Sequence, residues 1–197
     1  DRIRFTCDEG SFVELEYDVY GGEDQADEAV CCGRCTLAGK ECLLCVMDFS
    51  FKGGTMGVVM GQKIVRIMKT ARESRRPLII FSTSGGVRIQ EGIWGLLQML
   101  RTVHARDRIS ESPVITVFTD PTTGGVSASF AALADILLAE PHAQIGFAGP
   151  RVIKATVQCT IPEGFQDSET LLANGFLDRV VHRRDLKETL SFFLKWF

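Results

Sequence analysis

Residues 77–130 contain two units of one kind. The first reads Leu78-Ile79-Ile80-Phe81-Ser82-Thr83-Ser84-Gly85-Gly86 and follows Pro77. The second reads Val114-Ile115-Thr116-Val117-Phe118-Thr119-Asp120-Pro121-Thr122-Thr123-Gly124-Gly125 and runs on through Val126. Each is a β-rich apolar run, a glycine pair and then a helical pattern. A glycine pair lets backbone N–H groups reach a ligand with no Cβ in the way. A helix start behind it adds unpaired donors and a partial positive charge. The two turns therefore offer two places to stabilise a developing oxyanion. A helix is expected from Gln90 to Ala105, where Ile89, Ile93, Leu96, Leu97, Leu100 and Val103 recur at mostly three- and four-residue intervals. Trp94 and Met99 are assigned to core or interface packing. A second helix is expected over Val126 to Ala134, then a strand over Ile136 to Glu140.

Upstream, Val58 to Ser74 has a helical pattern that Pro77 stops, with Arg72, Arg75 and Arg76 suited to its C-terminal end. The Gly-rich stretch Phe51-Lys52-Gly53-Gly54-Thr55-Met56-Gly57 leads into it. Ala29 to Phe51 reads as two strands about a turn near Ala38-Gly39-Lys40. Gly21 to Glu28 reads as a solvated acidic loop, and Phe12 to Tyr17 as an edge element. Downstream, Gln144 to Arg151 is glycine-rich and precedes a helix over Val152 to Val157. Further helices are expected over Glu169 to Ala173 and Leu186 to Trp196, with a last strand over Leu177 to Val181. Strands alternating with helices predict an α/β fold with a largely parallel sheet. The 197 residues, 45% hydrophobic, suffice for one domain, taken as 1–197.

A net charge of −3 gives no sign of a nucleic-acid or membrane-surface partner. No apolar run reaches the ~18–20 residues of a membrane-spanning helix. The opening Asp1-Arg2-Ile3-Arg4 has neither an apolar leader nor an initiator Met, so a trimmed form without a signal peptide is expected. Seven cysteines, an odd number in a chain of this length, indicate a reducing compartment, the cytoplasm or an organelle matrix.

Cys32-x2-Cys35 and Cys42-x2-Cys45 form the one metal-like pattern. A zinc knuckle is one reading. Core packing is the other: the six-residue gap is short, the second pair lies in an apolar strand, and cysteines three apart on a strand point to opposite faces. There is no G-x4-G-K-[ST] and no G-x-G-x-x-G, so the glycine pairs are not nucleotide loops. Ser129 lies near a turn but lacks the G-x-S-x-G elbow, and His104, His142 and His182 have no evident partner. Ser127 and Ser129 read as small residues for close helix packing. What remains is a site rich in backbone donors and poor in acids and bases, which suits an enolate.

Four stretches carry a family resemblance. Ser82-Thr83-Ser84-Gly85-Gly86-Val87-Arg88-Ile89-Gln90-Glu91, Thr119 to Phe130, Ile145 to Ile153 and Pro162-Glu163-Gly164-Phe165-Gln166 resemble, in order, the carboxyltransferase β subunits of bacterial and plastid acetyl-CoA carboxylase. Phe51 to Gly57 and Asp8 to Leu15 match more loosely. The resemblance implies a crotonase-type spiral of ββα units. It also implies carboxyl transfer from biotin, borne on a biotin carboxyl carrier protein, to acetyl-CoA, giving malonyl-CoA for fatty acid biosynthesis. It implies a carboxyltransferase α subunit as partner in an α2β2 heterotetramer, and the cytoplasm or plastid stroma as the compartment. It assigns the enolate oxygen to the Gly85 and Gly86 amides, and substrate binding to Ser84, Arg88, Gly124, Gly125 and Gly149. Gly124-Gly125 would let the next helix pack closely and shape the cleft, and a second oxyanion hole would come from the α subunit. Family members carry an N-terminal zinc ribbon, and this chain begins where that ribbon ends, so zinc is not expected in it. Lys52, Val87, Ile89 and Lys154 replace the family's usual residues. They leave room for two alternatives, a biotin-independent acyl-CoA decarboxylase and a non-catalytic partner subunit.

Overall fold

A computed structural model describes residues 1–15, 28–157 and 160–196. Along the chain come α1 (Arg2–Thr6), β1 (Val13–Glu14), β2 (Val30–Leu37), β3 (Lys40–Met47), α2 (Val58–Ser74), β4 (Leu78–Ser84), α3 (Gly92–Asp107) and β5 (Val114–Thr123). Then follow α4 (Gly124–Ser127), β6 (Ile136–Ala139), β7 (Ile145–Gly146), α5 (Pro150–Val157), α6 (Ser168–Ala173), β8 (Arg179–Val180) and α7 (Leu186–Leu194). The strands form one sheet in the order β1-β2-β3-β4-β5-β6-β8, with β7 beside the far end of β5. The β1–β2 and β2–β3 pairs are antiparallel; every later pair is parallel. The expected α/β architecture with a largely parallel sheet is the observed one.

Side-chain alternation divides the core into two layers. Leu78 and Ile80 of β4 and Val114 and Phe118 of β5 join Met60, Ile64, Ile67 and Met68 of α2 on one face. Ile79 and Phe81, with Ile115 and Val117, join Leu186, Leu190 and Leu194 of α7 on the other. Every residue of β4 is buried, as a strand covered on both faces requires. Glu140, just past β6, ties the second layer to the sheet by hydrogen bonds from Arg2 (2.7 Å) and Arg183 (2.9 Å).

The hairpin about Ala38-Gly39 is as expected. Cys32 stands opposite Cys45 and Cys35 opposite Cys42. The first pair belongs to one core layer and the second to the other. Four thiols divided between two faces of a sheet cannot converge on one ion, so these positions are core residues. Burial and the adjacent Glu14 push the Cys31 thiol up to about 12. Among the described residues no group of three or more histidines, cysteines or acids is placed to hold a metal.

The structure departs from the sequence reading in four places. The helix expected over Val126–Ala134 is broken into α4 and a 3-10 turn, Phe130–Leu133, with Ser129 outside helical geometry between them (φ −133°, ψ −123°). The Ser127 and Ser129 hydroxyls donate to the Gly124 and Gly125 carbonyls, at 2.8 and 2.6 Å, a local competition that ends short helices. The chain opens on a helix that the sequence reading did not expect, α1, while the expected edge element is present as β1, the edge strand of the sheet, with Glu16 and Tyr17 outside the described residues. Of the acidic loop, residues 21–27 also lie outside, but Glu28 is no solvated residue: its side chain is 4% exposed and pairs with Arg88.

The fourth departure is α3. An amphipathic helix ordinarily turns its apolar stripe to the core. Here the buried residues are Gly95, Gln98, Thr102 and Arg106, and the stripe faces solvent. The inward polar groups are satisfied locally. The Gln98 amide donates to the Trp94 carbonyl (2.8 Å), Thr102 to the Gln98 carbonyl (2.9 Å), and Arg106 to the Leu133 (2.8 Å) and Ile109 (3.1 Å) carbonyls and to Asp135. Gly95 and Gly61 supply the close approach: a Cβ on Gly95 would lie 2.9 Å from a Val87 methyl, and one on Gly61 would lie 2.5 Å from the Gln98 amide oxygen.

Candidate active site

The two glycine turns, separate in sequence, meet in space. β4 and β5 are parallel neighbours, so their C-terminal ends lie side by side. Gly86 (φ +117°) and Gly124 (φ +65°) both need backbone conformations that disfavour a side chain. They are also in contact: a Cβ on Gly124 would lie 2.7 Å from the Gly86 Cα, and one on Gly86 would lie 3.2 Å from the Gly124 Cα and 3.4 Å from the Gly125 nitrogen. The two oxyanion places expected from the sequence are thus one locus. It sits past the carboxyl ends of parallel strands, where open α/β sheets bind ligands.

The turns are fixed from below. Gly85 N–H donates to the Gly53 carbonyl (2.9 Å), and Met56 N–H to the Gly86 carbonyl (2.9 Å). Ser84 is fully buried; its hydroxyl donates to the Gly54 carbonyl (2.6 Å) and accepts from Gly86 N–H (2.9 Å). On the second turn, Gly124 N–H donates to the Phe147 carbonyl (2.9 Å). The amides of Gly85, Gly86 and Gly124 are therefore engaged within the protein. Those of Val87 and Gly125 have no acceptor among the described residues. The two residues are neighbours: a Cβ on Gly125 would overlap the Val87 side chain. Gly125 is buried and Val87 half-buried, and an N–H left without a partner in such a place is open to a ligand or water.

Arg88 is buried directly behind this locus, at 6% exposure. Its guanidinium donates to Glu28 (2.9 Å from Nη1), to Glu91 (3.0 Å) and to the Thr55 carbonyl (2.8 Å). Hydrogen bonds to Glu28 hold Arg88 in its charged form more strongly than usual, against burial. Burial alone would raise the Glu28 carboxyl, but the bonds from Arg88 and from Ala29 N–H bring it below the ordinary range. Glu91 in turn accepts from Val58 N–H at the start of α2. Arg88 thus joins the Gly53-Gly54 turn, the Gly85-Gly86 turn and the N-terminal ends of α2 and α3.

Gly149 stands immediately before α5. Nothing stands within 4 Å of a Cβ built on it, and its carbonyl accepts from Val152 N–H (3.0 Å) at the start of α5. Ser127 and Ser129 are committed to backbone carbonyls. His142 faces Glu169 on the surface, and no histidine side chain bonds to either turn. Among the described residues, the locus can hold negative charge on a small oxygen through backbone donors, with no side-chain base beside it. The sequence reading passed over Val87 and Glu28. For Val87 the available signal was its place directly after the first glycine pair. For Glu28 there was none, because its partner is 60 residues away.

A family model described as carboxyl transferase domain matches residues 1–173. The chain is 45% identical over 213 residues to the acetyl-coenzyme A carboxylase carboxyl transferase subunit beta of Methylacidiphilum infernorum, covering 97% of this chain and 77% of that protein. It is 52% identical over 194 residues to the protein of the same name from Alkaliphilus oremlandii, covering 96% and 70%. A Clostridium tetani protein named for subunits beta/alpha is 42% identical over 214 residues, which take in 99% of this chain and 37% of that protein. Among solved structures, a Pseudomonas malonate decarboxylase hetero-dimer matches with TM-score 0.83 and 28% identity, over 100% of this chain and 83% of the other. Transcarboxylase 12S with methylmalonyl-coenzyme A bound matches with TM-score 0.84 and 26% identity, over 99% and 40%.

Proposed function

This chain belongs to the carboxyl transferase family, among the β subunits of acetyl-coenzyme A carboxylase, and we propose that it builds the acyl-CoA half of a carboxyltransferase active site. The reaction would move a carboxyl group from carboxybiotin to acetyl-CoA, giving malonyl-CoA. The observation that carries this reading is that neighbouring residues Val87 and Gly125, where the two glycine turns meet, both have amides without an acceptor among the described residues.

Those amides fit a thioester oxygen. On loss of a methyl proton the charge of acetyl-CoA moves onto that oxygen, and donors already aimed there stabilise it without reorganising; one such donor is worth about 2.7–4 kcal/mol. The carrier-borne biotin supplies the carboxyl group and the base for the methyl proton. This chain then needs no base of its own, in keeping with the lack of a histidine at the turns. Gly85 and Gly86 shape the hole rather than donate to the oxygen, and Ser84 and Arg88 position it. Gly124 and Gly149 keep the entrance free of side chains. The second hole, for biotin, would come from an α subunit, and the whole would work in a reducing compartment such as the cytoplasm or plastid stroma. Among the described residues no helix is long and apolar enough to cross a membrane.

The test is carboxyl exchange between malonyl-CoA and a biotin analogue, with the α subunit of the same organism added. Exchange that needs both chains and biotin is the expected result; no exchange overturns the reading. The malonate decarboxylase likeness gives decarboxylation as the second reading, though at 28% identity against 45–52% for the carboxylase subunits. Loss of CO2 from malonyl-CoA without biotin would establish it instead.

A further inference from the structure

α2 and α3 touch where Gly61 faces Gln98. Farther along both helices, away from the glycine turns, a cavity of about 380 Å³ opens between them. Lys69 and Arg72 of α2, Arg101 and His104 of α3, and Arg108 just past its end line it, with Val65 and Ala105 as the apolar part of the wall. Spacings of three and four residues put each set on one helix face. No carboxylate is among the described residues of the wall. Glu73 approaches Lys69 and Arg72 only loosely, at 3.8 and 3.6 Å, through side chains that are all at least 40% exposed. Arg101 donates to the neutral Gln98 amide oxygen (3.0 Å). The His104 and Arg108 side chains have no partner among the described residues.

The chain carries 22 Lys and Arg against 25 Asp and Glu, so this is a local concentration of positive charge, and its concave shape focuses the field. Helix dipoles do not account for it. Their pull on cations falls off within the last turn, whereas Lys69 and Arg101 lie five and six residues before the ends of their helices. The two helix ends together amount to about one negative charge, well short of the four cations around them. We infer that this cavity is a binding site for an oligophosphate anion, either free or as the phosphate chain of a nucleotide. Three of the four cations are arginines, whose planar forks match phosphate oxygens two at a time. A single carboxylate would leave most of that charge unanswered, while a triphosphate answers it. The volume lies in the range of small-molecule sites. Lys69 is eleven residues from the start of α2, a distance of about 16 Å along the helix from the end next to the glycine turns. The site is thus separate from the acyl locus, and the inference does not rest on the proposed reaction.

The test is titration calorimetry of the purified full-length chain with sodium tripolyphosphate and, separately, ATP, in about 0.1 M salt without divalent cations, where surface charges farther apart than about 10 Å are screened. One site with Kd of about 0.1 mM or tighter is expected for at least one of the two probes. Tighter binding of ATP assigns the site to a nucleotide, and tighter binding of tripolyphosphate to the free anion; either supports the inference. Lys69→Glu and Arg108→Glu, one from each side of the cavity, should each weaken binding about tenfold or more, and Arg108→Lys, which keeps the charge, less than about threefold. Lys40→Glu, on the distant β2–β3 hairpin, should change it less than about twofold. All three positions are exposed, so the unfolding temperatures should stay near the unsubstituted value. Absence of binding by both probes overturns the inference. So does binding that both cavity variants leave unchanged, or that Lys40→Glu weakens as much as they do. Neither result bears on carboxyl exchange, which is measured separately.

Discussion

Gly124 meets two separate demands. Its φ of +65° disfavours any side chain, and a Cβ there would lie 2.7 Å from the Gly86 backbone. Gly124→Ala is expected to destabilise the protein by about 1–3 kcal/mol and to lower carboxyl exchange on the order of 100-fold, because it drives apart the turns that carry the two free amides. Urea unfolding and the exchange assay measure the two effects separately. Ser84 acts through a different term. Removing its hydroxyl leaves the buried Gly86 N–H and Gly54 carbonyl unpaired, so Ser84→Ala should cost about 1–3 kcal/mol of stability. A full-stability Ser84→Ala protein would show that water replaces the hydroxyl there. The glycines and the serine were legible in the sequence as a motif. Their division of labour was not, since which amides are already engaged depends on the Gly53-Gly54 turn and Phe147, distant in sequence.

At the scale of elements, α3 shows what periodicity does and does not encode. Spacing states which residues share a face; it does not state where that face points. The inward face of α3 is chosen by contacts: Gly95 fits against Val87, and Gln98 over Gly61. Gly95→Ala should therefore act at the site as well as on stability. Its Cβ, 2.9 Å from a Val87 methyl and 3.1 Å from the Arg88 carbonyl, would displace the segment that carries the free Val87 amide. A fall in kcat for exchange of about tenfold or more, with KM for malonyl-CoA little changed, is expected, along with a loss of about 1–2 kcal/mol in stability. An unaltered kcat would show that the hole is insensitive to the seating of α3. The 3-10 break after α4 has a similar lesson: Ser127 and Ser129 were legible as small packing residues, but their hydroxyls also end the helix.

For the molecule as a whole, Glu140 connects the layers. It joins α1, the end of β6 and the segment before α7 through Arg2 and Arg183. Burial would raise its carboxyl, but hydrogen bonds from Arg183 and Arg2 outweigh that and bring it down to about 2 from about 4.5. A group whose pKa is lowered by folding stabilises the fold above its unfolded value and loses that contribution as pH falls through its folded value. Stability should therefore decline between about pH 4.5 and pH 2, in part through this one group. Glu140→Gln should lower stability at pH 7 by on the order of 2 kcal/mol and flatten that decline. Urea midpoints measured across the window test both; a variant that keeps the full acid decline would place it in other carboxylates.

By itself the sequence determined the alternating strands and helices, the largely parallel sheet, and the glycine pairs at the carboxyl ends of two strands. These are local properties: a period of two or of 3.6, a glycine at a turn, a proline at a stop. The tertiary structure alone decided that the two turns are one place, that Val87 and Gly125 hold its free donors, that Glu28 is the buried partner of Arg88, and that α3 faces outward. Each of these depends on which segments pack together across tens of residues, and on which hydrogen-bonding groups that packing leaves unmatched.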